Sequence, residues 1–354
     1  MKALVLKSNG GIENLEYTDI AGPELSLKDA LIKVEATSVN RVDIVVRNGY
    51  PGQQTPMPHI LGGDIAGKAV MGGRGVDFEK NKRFVAYPLI WCGSCQLCYE
   101  GKENLCLNWK YFGMHVHGGY ATFAKVPKQN LIPLPDNVSY EEGAALGVAG
   151  LTAYHGLKTV AALKSGEVFM IWGGSGGMGT IAVQIAKMLG ATVIATCGKD
   201  EKKSILKELG ADHVFNHYTD DVKTEVLKLY PNGVDVVMDY VGPKTFQQSF
   251  DMTKKGGKII LCGILTGRET NFSIHQTYLR HISIHGINLG TKAEMEELIG
   301  LVAAGKLKPY IGKVLDLKDG AEGHRLMESG EVTGKIILKP EVTNDYSEYE
   351  GKLF

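Results

Sequence analysis

The sequence has no surplus of either charge: 39 Lys+Arg stand against 39 Asp+Glu. Binding to a phosphate backbone needs a basic face, so nucleic acid is not an expected partner. Apolar runs are short as well. Gly or charge interrupts each well before the ~18 residues a membrane span requires, so no membrane association is expected. No charged start leads into an apolar core, so no secretory signal is read, and a soluble cytoplasmic protein is the expectation. Internal repeats and low-complexity tracts are missing. Cysteine is sparse, 6 in 354 residues, and in such a protein it points to metal or chemistry rather than a disulfide framework. What is present is ordinary globular composition, 44% hydrophobic and 22% charged, in a chain long enough for about two domains.

The N-terminal third reads as short strands between Gly, Pro and Asn turns: Lys2 to Leu6, Ala30 to Ala36, Ala66 to Val70, Arg83 to Ala86 and Tyr120 to Val126. From Gly166 the character changes. Apolar strands at Val168–Trp172, Thr192–Thr196, Val234–Met238, Lys258–Cys262 and Ile282–His285 alternate with helical segments, which argues for a parallel sheet covered on both faces. In Gly179–Leu189, Ile181, Ile185 and Leu189 form one apolar stripe. A helix near Ala293–Ala303 and a closing strand at Gly334–Lys339 follow. The tail, Glu341–Phe354, is acidic and contains tyrosine.

Two motifs carry chemistry. Gly174-Ser175-Gly176-Gly177-Met178-Gly179 fits G-x-G-x-x-G between an apolar strand and a helix, the context in which glycines let backbone approach a pyrophosphate at a helix N-terminus. An NAD site usually carries an acidic residue at the end of the next strand. Here Thr196-Cys197-Gly198-Lys199-Asp200 stands there, with Lys202 and Lys203 following. Small residues and lysines suit a 2′-phosphate, so NADP(H) is the expected cofactor, gripped by Lys199 or Lys202 and lined by Cys197. The second motif is Cys92, Cys95, Cys98 and Cys106, a C-x2-C-x2-C-x7-C array matching the closed four-thiolate set of structural zinc, one ion per chain. Cys197 and Cys262 sit at strand ends as small packing residues.

With these residues in view, the chain resembles the medium-chain dehydrogenase/reductase superfamily. The matching pieces are MKALVL, Val39–Asp43, Leu61–Gly67, the Cys92–Cys106 lobe, Gly147–Tyr154, GGSGGMG, Val234–Gly242 and GKIILKP. The resemblance implies an α/β fold: a GroES-like β-rich catalytic domain interrupted by a doubly wound Rossmann domain. Residues 1–149 would form the catalytic domain with its zinc lobe and 150–289 the NADP-binding domain. Residues 290–354 would return to the catalytic domain and end in the tail. It also implies an active site in the cleft between domains and a homodimer or homotetramer. The zinc alcohol dehydrogenases of the family hold a catalytic metal on three ligand positions, which here are Asn40, Gly63 and Val148. Gly63 and Val148 cannot ligate through side chains, Asn is a poor zinc ligand, and Asp64 alone would not hold the ion.

Loss of that Lewis acid favours an acceptor that is already polarised. The expected reaction is NADPH-dependent reduction of a small electrophile, either a quinone or an activated C=C bond in an enone or enoyl thioester. Candidate catalytic residues are Asn40 as a polar contact, Tyr50 as a donor to the enolate and Thr152 beside the nicotinamide, as the resemblance implies. His117 is a lesser candidate. One alternative is a zinc alcohol dehydrogenase with a site rebuilt from His59, His115 and Asp64. The other is a non-enzymatic nucleotide-binding protein.

Overall fold

The computed structural model describes residues 1–50, 52, 55–73 and 81–341; tail residues 342–354 lie outside them. The chain divides into two compact units, Met1–Ala149 with the segment from Thr291 onward, and Gly150–Gly290.

In the first unit the strand Asp29–Val39 is the spine. Ten of its eleven residues are buried, because it pairs with Ala66–Gly72, Phe123–Pro127 and Lys335–Lys339 and lies between covered faces. The sheet runs Leu131–Pro133, Arg83–Ala86, Ala66–Gly72, Asp29–Val39, Lys335–Lys339, Ile311–Asp316. Its apolar positions converge on a core of Ile32, Val34, Ile65, Phe84, Phe112 and Val126. Lys2–Leu6, Leu15–Asp19 and His59–Ile60 form a smaller sheet. The strand read from sequence at Tyr120 begins instead at Phe123. Tyr120 lies in the preceding loop, fully buried, its ring turned to the polar cluster described below.

The second unit is a six-stranded sheet in which every pairing is parallel. With the strands numbered along the chain from Val168–Ile171, their order is 3-2-1-4-5-6, the doubly wound arrangement that opens a crevice at the carboxyl ends of its central strands. Val234–Asp239 is buried at all six positions, as a central strand covered on both faces must be. The strand His213–Asn216 is not evident from the sequence pattern. It lies on the sheet edge, half-exposed at three of its four residues, so no apolar run marks it. A helical run from Tyr140 to Val160 contains two π-type turns, at Leu146–Gly150 and His155–Val160. No helix among the described residues is long and apolar enough to cross a membrane.

Candidate active site and metal centre

The glycine turn follows the strand Val168–Ile171 and opens the twelve-residue helix Gly177–Met188. Gly176 is the N-cap and offers no side-chain acceptor, so the first N–H groups of this helix are available to an anion. A Cβ on Gly179 would stand 2.5 Å from the Gly174 carbonyl oxygen and 2.6 Å from that of Gly173, so only glycine lets the helix start this close to the turn. The Gly173 N–H donates to Thr196 Oγ1 at 2.9 Å, and the Tyr240 hydroxyl donates to the Gly173 carbonyl. Buried Asp239, at the end of its strand, accepts from the N–H groups of Val241 and Gly242 and fixes the loop that carries Tyr240.

At the end of Thr192–Cys197 the Cys197 thiol is buried and donates to the Lys199 carbonyl at 3.2 Å. Lys199 is half-exposed, 4.0 Å from Glu201, whereas Lys202 is buried. The Asp200 carboxylate is turned to Lys203 (2.9 Å) and to the Asn216 amide (3.1 Å), which hold its pKa below the usual range.

The four lobe cysteines bring their sulfurs within 4.8 Å of one another, with neighbouring pairs at 3.4–4.0 Å and none joined in a disulfide. A tetrahedral ion with metal–sulfur bonds of about 2.3 Å sets its ligand sulfurs about 3.8 Å apart, so the set fits zinc. The N–H groups of Cys92 and Asn108 point at Cys106 Sγ, 3.3 and 3.4 Å away, as suits a thiolate. Glu103 fastens the lobe by accepting from the Lys292 N–H at 2.5 Å.

The three family ligand positions converge differently. Asn40 is the N-cap of the helix Arg41–Arg47 and is buried; its N–H donates to Asp43 Oδ2 at 2.8 Å. Its amide is engaged at both ends: Nδ2 donates to Asp64 Oδ2 at 2.7 Å, and Oδ1 accepts from Lys335 Nζ at 2.7 Å. Val148 contributes its backbone N–H to Asp64 Oδ1 at 2.8 Å. A Cβ on Gly147 would stand 2.4 Å from that same oxygen. At Gly63 a Cβ would stand 2.4 Å from the Tyr111 hydroxyl, so the phenol occupies the space a ligand side chain would need. That hydroxyl is buried and has no hydrogen-bond partner among the described residues. Burial, aided by Asp43 and Asp64, drives its pKa well above the ordinary value.

Behind Asp43 runs a directed chain. Arg47 can only donate, so His324 Nδ1 accepts from it at 3.3 Å, which places the ring proton on Nε2. Nε2–H then meets the Tyr120 hydroxyl at 3.3 Å, and that hydroxyl donates to Asp43 Oδ2 at 3.2 Å. Burial and the Arg47 charge lower the His324 pKa to about 3, so the ring is neutral; burial, with Asp64 adding, raises Asp43 to about 7.

The rebuilt zinc site does not assemble. His115 Nδ1 is taken by the Tyr111 N–H at 3.0 Å, both Asp64 oxygens are engaged, and His59 is buried with neither nitrogen bonded among the described residues. His117 Nδ1 accepts from the Ile60 N–H at 3.3 Å. Among the described residues the cysteine quartet is the one group of three or more His, Cys, Asp or Glu placed to share an ion. A catalytic zinc therefore does not fit the residues present, whereas a structural one does. Tyr50 lies half-buried beyond the helix Arg41–Arg47. Thr152 is buried in the helix Leu151–Tyr154, in the second unit.

The sequence reading did not single out Ser38, Tyr111, Tyr120, His324 or Lys335. The one available signal was a lysine set among apolar residues in the closing strand.

Comparison with known proteins agrees with this organisation. Residues 26–136 match the alcohol dehydrogenase GroES-like domain, and residues 177–304 match the zinc-binding dehydrogenase family. An alcohol dehydrogenase of Geobacillus stearothermophilus is 33% identical over 96% of this chain and 99% of its own. A quinone oxidoreductase of Rattus norvegicus is 31% identical over 96% and 97%. Among solved structures, an NAD-dependent alcohol dehydrogenase superposes with a TM-score of 0.91 at 35% identity, covering 96% of this chain and 99% of that one.

Proposed function

The chain belongs to the medium-chain dehydrogenase/reductase superfamily and is an oxidoreductase, and on that premise we propose that it reduces a quinone or an activated C=C bond with NADPH, without a catalytic metal. The observation that carries this reading is the fate of the ligand positions: Asn40 is bound to Asp64 and Lys335, Val148 offers only backbone, and Tyr111 fills the space beside Gly63. With no Lewis acid, an alkoxide lacks the stabilisation its formation needs, whereas an enolate or quinol delocalises its own charge. Bound NADPH supplies the hydride. In this reading the N–H groups of the Gly174–Gly179 turn hold the pyrophosphate, Lys199 or Lys202 takes the 2′-phosphate, Thr152 borders the nicotinamide and Tyr50 donates to the developing oxyanion. Asn40 serves as a positioning residue. The NADPH preference is supported by Cys197 and Gly198 standing where an acidic residue would close the strand Thr192–Cys197, and by the engagement of the following Asp200 with Lys203. Six cysteines outside any disulfide suit a reducing, cytoplasmic setting.

The same reading includes a homodimer or homotetramer. Ser283–Gly286 is the last strand of its sheet, and exposed Phe272, Ile274 and Tyr278 lie just before it in the chain, so a second copy continuing the sheet would cover both. Sedimentation should then give an oligomer that Ile274→Asp weakens; a wild-type monomer contradicts it.

The test of function is cofactor consumption with quinones, enones, enoyl thioesters and simple aldehydes, beside oxidation of simple alcohols. Turnover of one activated class well above alcohol oxidation is expected. Efficient alcohol oxidation that is lost when a second zinc is stripped would overturn the reading.

A further inference from the structure

We propose that Lys335 is the resident cation of this site, a positioning residue whose ammonium takes over the charge a metal would bring. The inference rests on the metal-free reading above. Strand register places it: Ile336 pairs with Val39 and Ile337 with Ser38, so the next step along the ladder sets Lys335 across from Asn40. Its side chain is 1% exposed, as is that of Asp64. The three ammonium hydrogens have three acceptors, Asn40 Oδ1 at 2.7 Å, the Val39 carbonyl at 3.4 Å and Asp64 Oδ2 at 3.5 Å.

This arrangement fixes more than charge. Because Asn40 Oδ1 faces an obligate donor, its Nδ2 must face Asp64, and the amide has one orientation. Asp64 in turn receives Ser38 Oγ at 2.5 Å, Asn40 Nδ2 and the ammonium on Oδ2, and the Val148 N–H on Oδ1. One carboxylate thus ties the spine strand, the closing strand and the turn at Val148 together, and it does so as an anion.

The groups facing this pair are Asp43, from the helix Arg41–Arg47, and the Tyr111 and Tyr120 hydroxyls, with neutral His324 beyond Tyr120. Arg47 is committed to Glu328 at 2.7 Å. Among the described residues, two carboxylates therefore share one buried ammonium. Burial lowers the Lys335 pKa, and the carboxylates of Asp64 and Asp43 work against that.

The test is the pH dependence of the melting temperature between pH 5.5 and 8.5. It compares the zinc-loaded full chain with Lys335→Met, Asp64→Asn and the double variant. In Lys335→Met an uncompensated Asp64 carboxyl has a folded pKa above its unfolded one, so stability falls as pH rises. In Asp64→Asn the buried ammonium has a folded pKa below its unfolded one, so stability falls as pH drops. The deficits relative to wild type should therefore slope in opposite directions, by about 5 °C across the range, and the double variant should lie parallel to wild type. Asp43 is present in all four proteins and shifts in the same sense as the partner left behind, so it adds to each slope. Deficits in the single variants that do not change with pH would overturn the proposal. Should Lys335→Met fail to fold, the Asp64→Asn slope alone decides. Because the measurement is of stability, its failure leaves the acceptor class standing, and a failed acceptor panel leaves the ion pair standing.

Discussion

Removing the Tyr111 hydroxyl should make this protein more stable. The group is buried, has no partner among the described residues and belongs to a side chain only 5% exposed. A buried polar group left unpaired costs about 1–3 kcal/mol of lost hydration. Tyr111→Phe keeps the ring and its packing against Gly63 while deleting that cost, so a gain of about 1 kcal/mol is expected. For a unit of roughly 200 residues this raises the melting temperature by about 2–4 °C. Gly63→Ala is the companion variant, since its methyl would stand 2.4 Å from the hydroxyl and 2.7 Å from the ring carbon bearing it. Overpacking there should cost about 1–3 kcal/mol, and combining it with Tyr111→Phe should relieve part of that cost, a coupling a double-mutant cycle measures. Calorimetry of the four proteins at one pH suffices. If Tyr111→Phe lowers stability by more than about 1 kcal/mol, the hydroxyl has a partner and the reasoning fails.

Two other outcomes are open to direct measurement. Metal analysis should give one zinc per chain, falling to none when Cys92 and Cys95 are replaced by Ser, and chelation should loosen the lobe before it slows hydride transfer; two zincs in the wild type would contradict the ligand assignment. Lys199→Ala, or Lys202→Ala if that residue is the one engaged, should weaken NADPH binding about 10- to 150-fold, the equivalent of one charge-assisted hydrogen bond, with NADH little changed. Equal NADH and NADPH use by the wild type would refute the 2′-phosphate reading.

The parts of the fold that repeat a local rule were legible in the sequence. Strand Arg83–Ala86 has the bounds its pattern suggests, and the helix Gly177–Met188 follows its glycine turn because apolar stripe and turn lie within one short segment. The cysteine lobe was legible for the same reason: its four cysteines, whose sulfurs the structure brings together, span fifteen residues. The strand Thr253–Leu261 was read from Lys258 onward, because its first half, Thr-Lys-Lys-Gly-Gly, is polar and its pairing there shifts register. The cluster around Asp64 was illegible for a different reason. Strand register brings Ser38 and Lys335 together, Asp64 and Val148 reach them from a loop and a helical turn far off in sequence, and a lone lysine in an apolar strand reads as an outward-facing residue until the register is known. Tyr111 was hidden likewise, since an aromatic near a metal lobe carries no pattern that links it to Gly63.

The hydrogen-bond network around this ion pair spans the chain, with Asn40 and Lys335 separated by 295 positions. A ribosome adding about 5–20 residues per second exposes the first partner roughly 15–60 s before the second exists. Through that interval the spine strand lacks its neighbour Lys335–Lys339, and Asp64 must remain hydrated because no ammonium can yet follow it inward. The unit Gly150–Gly290, contiguous in sequence, has all six of its strands in hand roughly 2–10 s before then, since the last of them ends at Gly286. Synthesis thus imposes an order on this protein: the contiguous unit Gly150–Gly290 can finish first, and the unit that begins at Met1 closes only when the strand Lys335–Lys339 arrives.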